Sequence, residues 1–167
     1  MKSFQMKRFR FAPVLENDFK PKDFLGYLVS AVMKNMSALL VAGFKEQGHD
    51  ISRAHWLILA KSYHFANEKL LQSDVVEMML GDKITVSRAV DDLVNRGWLI
   101  QKVDKVDKRN RVLVLTTKGR QIVPELMKVV NKTIASATYN IDDNDMNITK
   151  AVLAQIIENI DQINNKK

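Results

Sequence analysis

At 167 residues, with 46% apolar and 27% charged side chains, the chain is long enough to bury one core and too apolar for the disordered class. The absence of cysteine excludes disulfides, thiolate metal sites and thiol nucleophiles. A net charge of +7 favours a polyanionic partner without naming one.

The chain opens on a basic arm, residues 1–20, in which Lys2, Lys7, Arg8, Arg10 and Lys20 outnumber Glu16 and Asp18. The arm never builds the apolar core of a signal peptide, and no stretch of the chain approaches the roughly 18 consecutive apolar residues of a membrane span. A cytoplasmic protein with no membrane partner is therefore expected. Three roles stay open for the arm: disorder, packing on another subunit through Phe4, Phe9 and Phe11, or a grip on DNA.

From Phe24 to Phe44 apolar residues recur every three or four positions, which predicts a long helix with a wide apolar stripe. Gly48 closes it, and Ser52 can cap a second helix through Trp56, Leu57, Leu59 and Ala60. Val75, Val76, Met79 and Leu80 suggest a short third helix, with Gly81 for a turn and Asp82 as the next capping carboxylate. The fourth helix buries Val86, Ala89, Val90, Leu93 and Val94 and leaves Thr85, Ser87 and Arg88 outside that stripe. Gly97 can end it left-handed.

After Gly97 the period changes. The runs "WLIQKV" and "RVLVLT" read as antiparallel strands whose hairpin tip holds Lys105, Lys108 and Arg109, with Arg111 opening the second strand and Asp104 and Asp107 among them. Thr116 or Thr117 can cap a fifth helix bearing Ile122, Val123, Leu126, Met127, Val130 and Ile134. Pro124 sits about two turns in, where a proline can kink a helix. The acidic run at 142–145 lacks the glycine and late glutamate of a calcium loop and reads as a capping linker before a last helix bearing Ile148, Val152, Leu153, Ile156, Ile157, Ile160 and Ile163.

Helix, tight turn, helix and basic hairpin form the pattern of a winged helix-turn-helix, mostly α with a small β-hairpin wing. In that arrangement the second helix enters the DNA major groove by its N-terminal residues, here Lys83, Thr85, Ser87 and Arg88. The wing tip, with Lys105, Lys108, Arg109 and Arg111, can reach the adjoining backbone and minor groove, where Arg109 or Arg111 would make the contact. Asp107 can pair with a nearby arginine and direct it.

The stretches "TVSRAVDDLVNRGWL" and "DKRNRVLVLTTKG", with "AHWLIL" at 54–59, resemble the multiple-antibiotic-resistance regulator (MarR) family of bacterial transcription factors, and the resemblance extends over nearly the whole chain. It implies a homodimer interlocked through N- and C-terminal helices, residues 21–48 and 118–167, flanking a DNA-binding lobe at 49–117. It further implies a pseudo-palindromic duplex operator, a repressor's role, and a small effector that weakens DNA binding. By position the family's wing arginine is Arg109 and its supporting aspartate Asp107. Leu71 departs from the family's capping Thr or Ser.

Other readings compete. His49, His55 and His64 are spaced six and nine apart, unlike a helical metal pair, so no metal site or cofactor is expected, although a metal-responsive regulator stays open. Trp56 and Tyr63 share one helix face and belong either to the core or, with His55, to a ligand pocket. No phosphate loop or nucleophile elbow appears, so no enzyme is expected. The rival from another class is a winged module that docks protein or RNA.

Overall fold

The computed structural model describes residues 24–66, 68–79 and 82–165. The basic arm and the turn expected at Gly81 lie outside the described residues. The chain divides into two compact units, Met1–Asn35 and Met36–Lys167, and helix α1, Leu25–Glu46, runs through the boundary. In the first unit α1 exposes Leu25, Leu28, Val29, Val32 and Met33. Among the described residues α1 is the one helix long and apolar enough to cross a membrane, its most apolar window averaging a hydropathy of 1.5. Ser30, Lys34, Asn35 and Ser37 interrupt every consecutive apolar run yet leave the average high.

In the second unit each helix start has an identifiable cause. Helix α2, Arg53–His64, begins at Ser52, whose backbone N–H donates to Nδ1 of His55 at 2.9 Å while its hydroxyl faces the His55 N–H. This is a capping box with histidine in the place usually held by Glu or Gln. Helix α3, Gln72–Met78, starts at Leu71, which has no capping oxygen. The Asp74 carboxylate instead accepts the Leu71 N–H at 2.9 Å, so the departure from Thr or Ser is met from inside the helix. Helix α4, Lys83–Asn95, is capped by Asp82, and Gly97 turns the chain with φ +69°.

Strands β1, Leu99–Val103, and β2, Arg111–Leu115, pair antiparallel with Leu99 opposite Leu115 and Val103 opposite Arg111. Alternation turns Leu113 and Leu115 inward, and Leu113 also donates its N–H to Leu70 O at 2.9 Å. Helix α5, Thr117–Ala137, takes Thr116 as its cap, and Pro124 is accommodated within it. The Thr116 hydroxyl accepts Gly119 N–H at 2.9 Å and donates to Gly97 O at 2.7 Å, tying the exit of the hairpin to the end of α4. Gly119 is required here, because a Cβ would lie 2.0 Å from Trp98 O. Helix α6, Asp143–Asn164, is capped by Asp142; the acidic run forms its first turn, where negative charge suits the helix dipole.

One core joins these pieces. Phe44 of α1, Ile58 and Leu59 of α2, Val75 of α3, Val86, Val90 and Leu93 of α4, Leu99 of β1 and Leu126 of α5 are essentially sealed from solvent. Each such side chain contributes about 1.5–3 kcal/mol by burial, so the helix pair and hairpin are held together as one packed lobe.

Candidate nucleic-acid interface

Helix α4 buries Val86, Ala89, Val90 and Leu93 and turns its opposite face to solvent. At the N-terminal end Arg88 is exposed on that face, Lys83 and Thr85 are exposed on its flanks, and Ser87 is half-buried. Asp82 accepts Thr85 N–H at 3.0 Å. That bond, the Thr85 hydroxyl and the nearby Arg88 charge hold its carboxyl below the usual carboxylate range. Among the described residues Arg88 makes no ion pair, leaving its guanidinium available.

The far end of the same helix is tied down. Asp92 takes Arg96 Nε at 2.5 Å, and Nε2 of His55 lies 3.1 Å from the same carboxylate oxygen, off the line of a good hydrogen bond. The Arg96 guanidinium also covers the Trp98 ring, 5.6 Å from its centroid. Asp92 follows Arg88 by four residues, so without His55 and Arg96 it would be the natural partner of Arg88. Its engagement elsewhere keeps Arg88 unpaired.

The wing is organised by two aspartates. Asp104, its side chain buried, accepts Lys69 Nζ at 2.5 Å, Val106 N–H at 3.2 Å and Asp107 N–H at 3.5 Å. The Lys69 bond, together with those two backbone bonds and despite burial, holds its carboxyl below the usual range. Asp107 accepts Arg109 N–H at 3.0 Å and Arg109 Nε at 3.3 Å. Arg109 projects 92% exposed, and Arg111 turns back to donate to Lys108 O at 3.3 Å. Lys105 and Lys108 are exposed beside it.

The residues singled out as a ligand pocket do not come together. His55 serves the cap and Asp92, Trp56 packs in the core with ring centroids 6.1 Å from Phe44, and Tyr63 is exposed. A different cavity, about 620 Å³, lies between the second half of α1 and α5, with Gly43, Glu46, His49, Glu125, Lys128 and Thr133 in its lining. Among the described residues no three His, Asp or Glu gather as a metal site would require.

Sequence reasoning missed the Lys69–Asp104 clamp and the His55–Asp92 contact. Local patterns hold part of the signal: an Asp at a strand end beside turn residues, and S-x-x-H at a helix start. The pairing partners lie too far along the chain for spacing to nominate them.

The sequence model of the MarR family matches residues 49–110. The chain is 25% identical over 113 residues to the HTH-type transcriptional regulator YybA of Bacillus subtilis, covering 68% of this chain and 74% of that protein. Its fold is similar to a MarR transcriptional regulator from Methanosarcina mazei, with TM-score 0.72, 23% identity and coverage of 84% and 98% of the two chains. It is also similar to BpsR of Bordetella bronchiseptica, whose DNA binding is regulated by 6-hydroxynicotinic acid, with TM-score 0.72, 18% identity and coverage of 83% and 96%.

Proposed function

We propose that this chain, whose winged lobe matches the sequence model of the MarR family, is a sequence-specific, DNA-binding transcriptional regulator that acts as a homodimer on a pseudo-palindromic operator. The observation that carries this reading is one packed lobe that exposes two cationic elements, the N-terminal end of α4 with Lys83 and Arg88, and the wing tip with Lys105, Lys108 and Arg109. Arg88 engages a base edge, with Thr85 and Ser87 on bases or phosphates, and the wing engages backbone and minor groove.

Dimerisation is supported by apolar surface that the single chain leaves wet. Helix α6 has no buried residue, yet Ile148, Val152, Ile157, Ile160 and Ile163 stand exposed along it. A second copy would cover that stripe and set two recognition helices about one DNA turn, roughly 34 Å, apart. The cavity between α1 and α5 falls within the usual size of small-molecule sites and suits an effector whose binding favours a different lobe spacing and releases DNA. In this reading the protein is a repressor and not an enzyme.

The test is fluorescence anisotropy of the full chain on duplexes from its own upstream region and on scrambled controls, over a salt series. Affinity should fall steeply with salt on both, and the native duplex should win by ~10³ or more at physiological salt. Arg88→Ala should cost about 1–3 kcal/mol and relax preference at one base pair. Binding with no preference for any duplex would overturn the reading.

A further inference from the structure

The reading face of α4 contains one residue that its polar chemistry does not account for. Ile84, in the first turn, is 66% exposed. It lies four residues before Arg88, so the two share the centre of the face opposite Val86, Ala89, Val90 and Leu93, with Lys83 and Thr85 alongside. A single exposed aliphatic side chain is ordinary on a protein surface. Its location is what matters here: the first turn of α4, one helical turn from an arginine without an ion pair, holds a branched hydrocarbon that the lobe leaves mostly exposed.

In the major groove one base alone offers such a side chain an apolar partner. Thymine carries a 5-methyl group, whereas cytosine shows an amino donor and no methyl, and the purines show N7 with O6 or N6. Isoleucine against the methyl removes hydrocarbon from water on both sides. Against any other base edge it would desolvate a polar atom that it cannot satisfy, so it discriminates both by attraction and by penalty.

We infer that Ile84 is a specificity-determining residue that reads the 5-methyl group of a thymine adjacent to the base pair engaged by Arg88, once in each half-site. The inference rests on the major-groove docking of α4 proposed above.

The test uses duplexes selected by the full-length protein from a random-sequence pool, with each thymine in a half-site replaced in turn by uracil, which deletes only the methyl. Wild-type protein should show one uracil-sensitive position per half-site, losing about fourfold in affinity there, the worth of one buried methyl group. Ile84→Ala should bind thymine and uracil equally at that position, while its helical circular dichroism and the slope of its salt dependence stay those of the wild type. A collapsed recognition helix would change both, so a merely structural role is separable. Ile84→Val should keep most of the sensitivity. Selective binding with no uracil-sensitive position, or the same sensitivity in Ile84→Ala, overturns the inference and leaves DNA reading standing. If the pool yields no selected duplex, the docking of α4 fails and this inference falls with it.

Discussion

The winged lobe and the last helix follow opposite rules with the same kinds of residue. In the lobe, α4 places Val86, Ala89, Val90 and Leu93 at helical spacing and buries all four, and caps, clamps and a glycine contact close the remaining gaps. In α6, Ile148, Val152, Ile157, Ile160 and Ile163 recur with similar spacing, and none is buried. Periodicity therefore identifies the face that seeks burial without saying whether the partner lies in the same chain. A lobe complete in itself beside a helix that is not is the division expected where one part contacts DNA and the other assembles.

The largest test of this contrast puts a charge into the seam proposed on α6. Ile157→Glu alters a residue 60% exposed in the single chain, so the lobe should keep its helical signal and core. Light scattering should show the assembly reduced to monomers. Affinity for a two-half-site duplex should fall by roughly 10²–10⁴, the advantage that linking two binding modules confers. A variant that remains dimeric would place the seam elsewhere and return α6 to the class of ordinary solvated helices.

A smaller effect probes completeness inside the lobe. Asp104 holds the turn of the wing through Lys69 and two backbone N–H groups, while Asp107 steers Arg109. If the clamp acts by presenting the tip, Asp104→Asn should weaken DNA binding several-fold and flatten the salt dependence, by up to about 0.9 in log–log slope for each phosphate the wing no longer neutralises. It should add little in a chain that already carries Arg109→Ala, because both changes disable the same tip. Fully additive effects in that double-mutant cycle would separate Asp104 from the wing's hold on DNA.

What the sequence disclosed and what it withheld divide along the same physical line. Helix α4, its glycine stop, the two strands and the cap at Thr116 were legible because capping, turn chemistry and periodicity act over a few residues. The basic tip, and a nearby arginine for Asp107, were legible for the same reason, whereas only the family resemblance singled out Arg109 as that arginine. Lys69 with Asp104, and His55 with Asp92, meet only because the core brings the loop after α2 to the wing and α2 itself to α4. A common helix suggests His55, Trp56 and Tyr63 as a pocket, yet the three point to a cap, the core and solvent. The sequence pattern did not single out Ile84, because its exposure, which makes it a candidate, is a tertiary fact.

The smallest effect comes from the histidine in the α2 cap, and it distinguishes this lobe from one capped by Gln or Glu. Nδ1 of His55 accepts the Ser52 N–H, so the ring must be unprotonated there, with its proton on Nε2 beside Asp92. Burial pushes the His55 pKa below its ordinary 6.5; Arg96 pushes the same way, while Asp92 and Asp50 oppose them, and Arg88 lines the same cleft. Because the folded value lies below the unfolded one, the unfolded chain binds the proton more readily in the window just below pH 6.5. The contribution of this group to stability is thus complete above about pH 6.5 and is lost as pH falls from there toward the folded value. His55→Gln keeps an acceptor for the Ser52 N–H but cannot titrate. The melting temperature of the wild type should therefore decline more between pH 7.5 and 5.5 than that of His55→Gln, while the two nearly agree at pH 7.5. Parallel curves would mean that the cap survives protonation, and that the join between α2 and α4 rests on core packing alone.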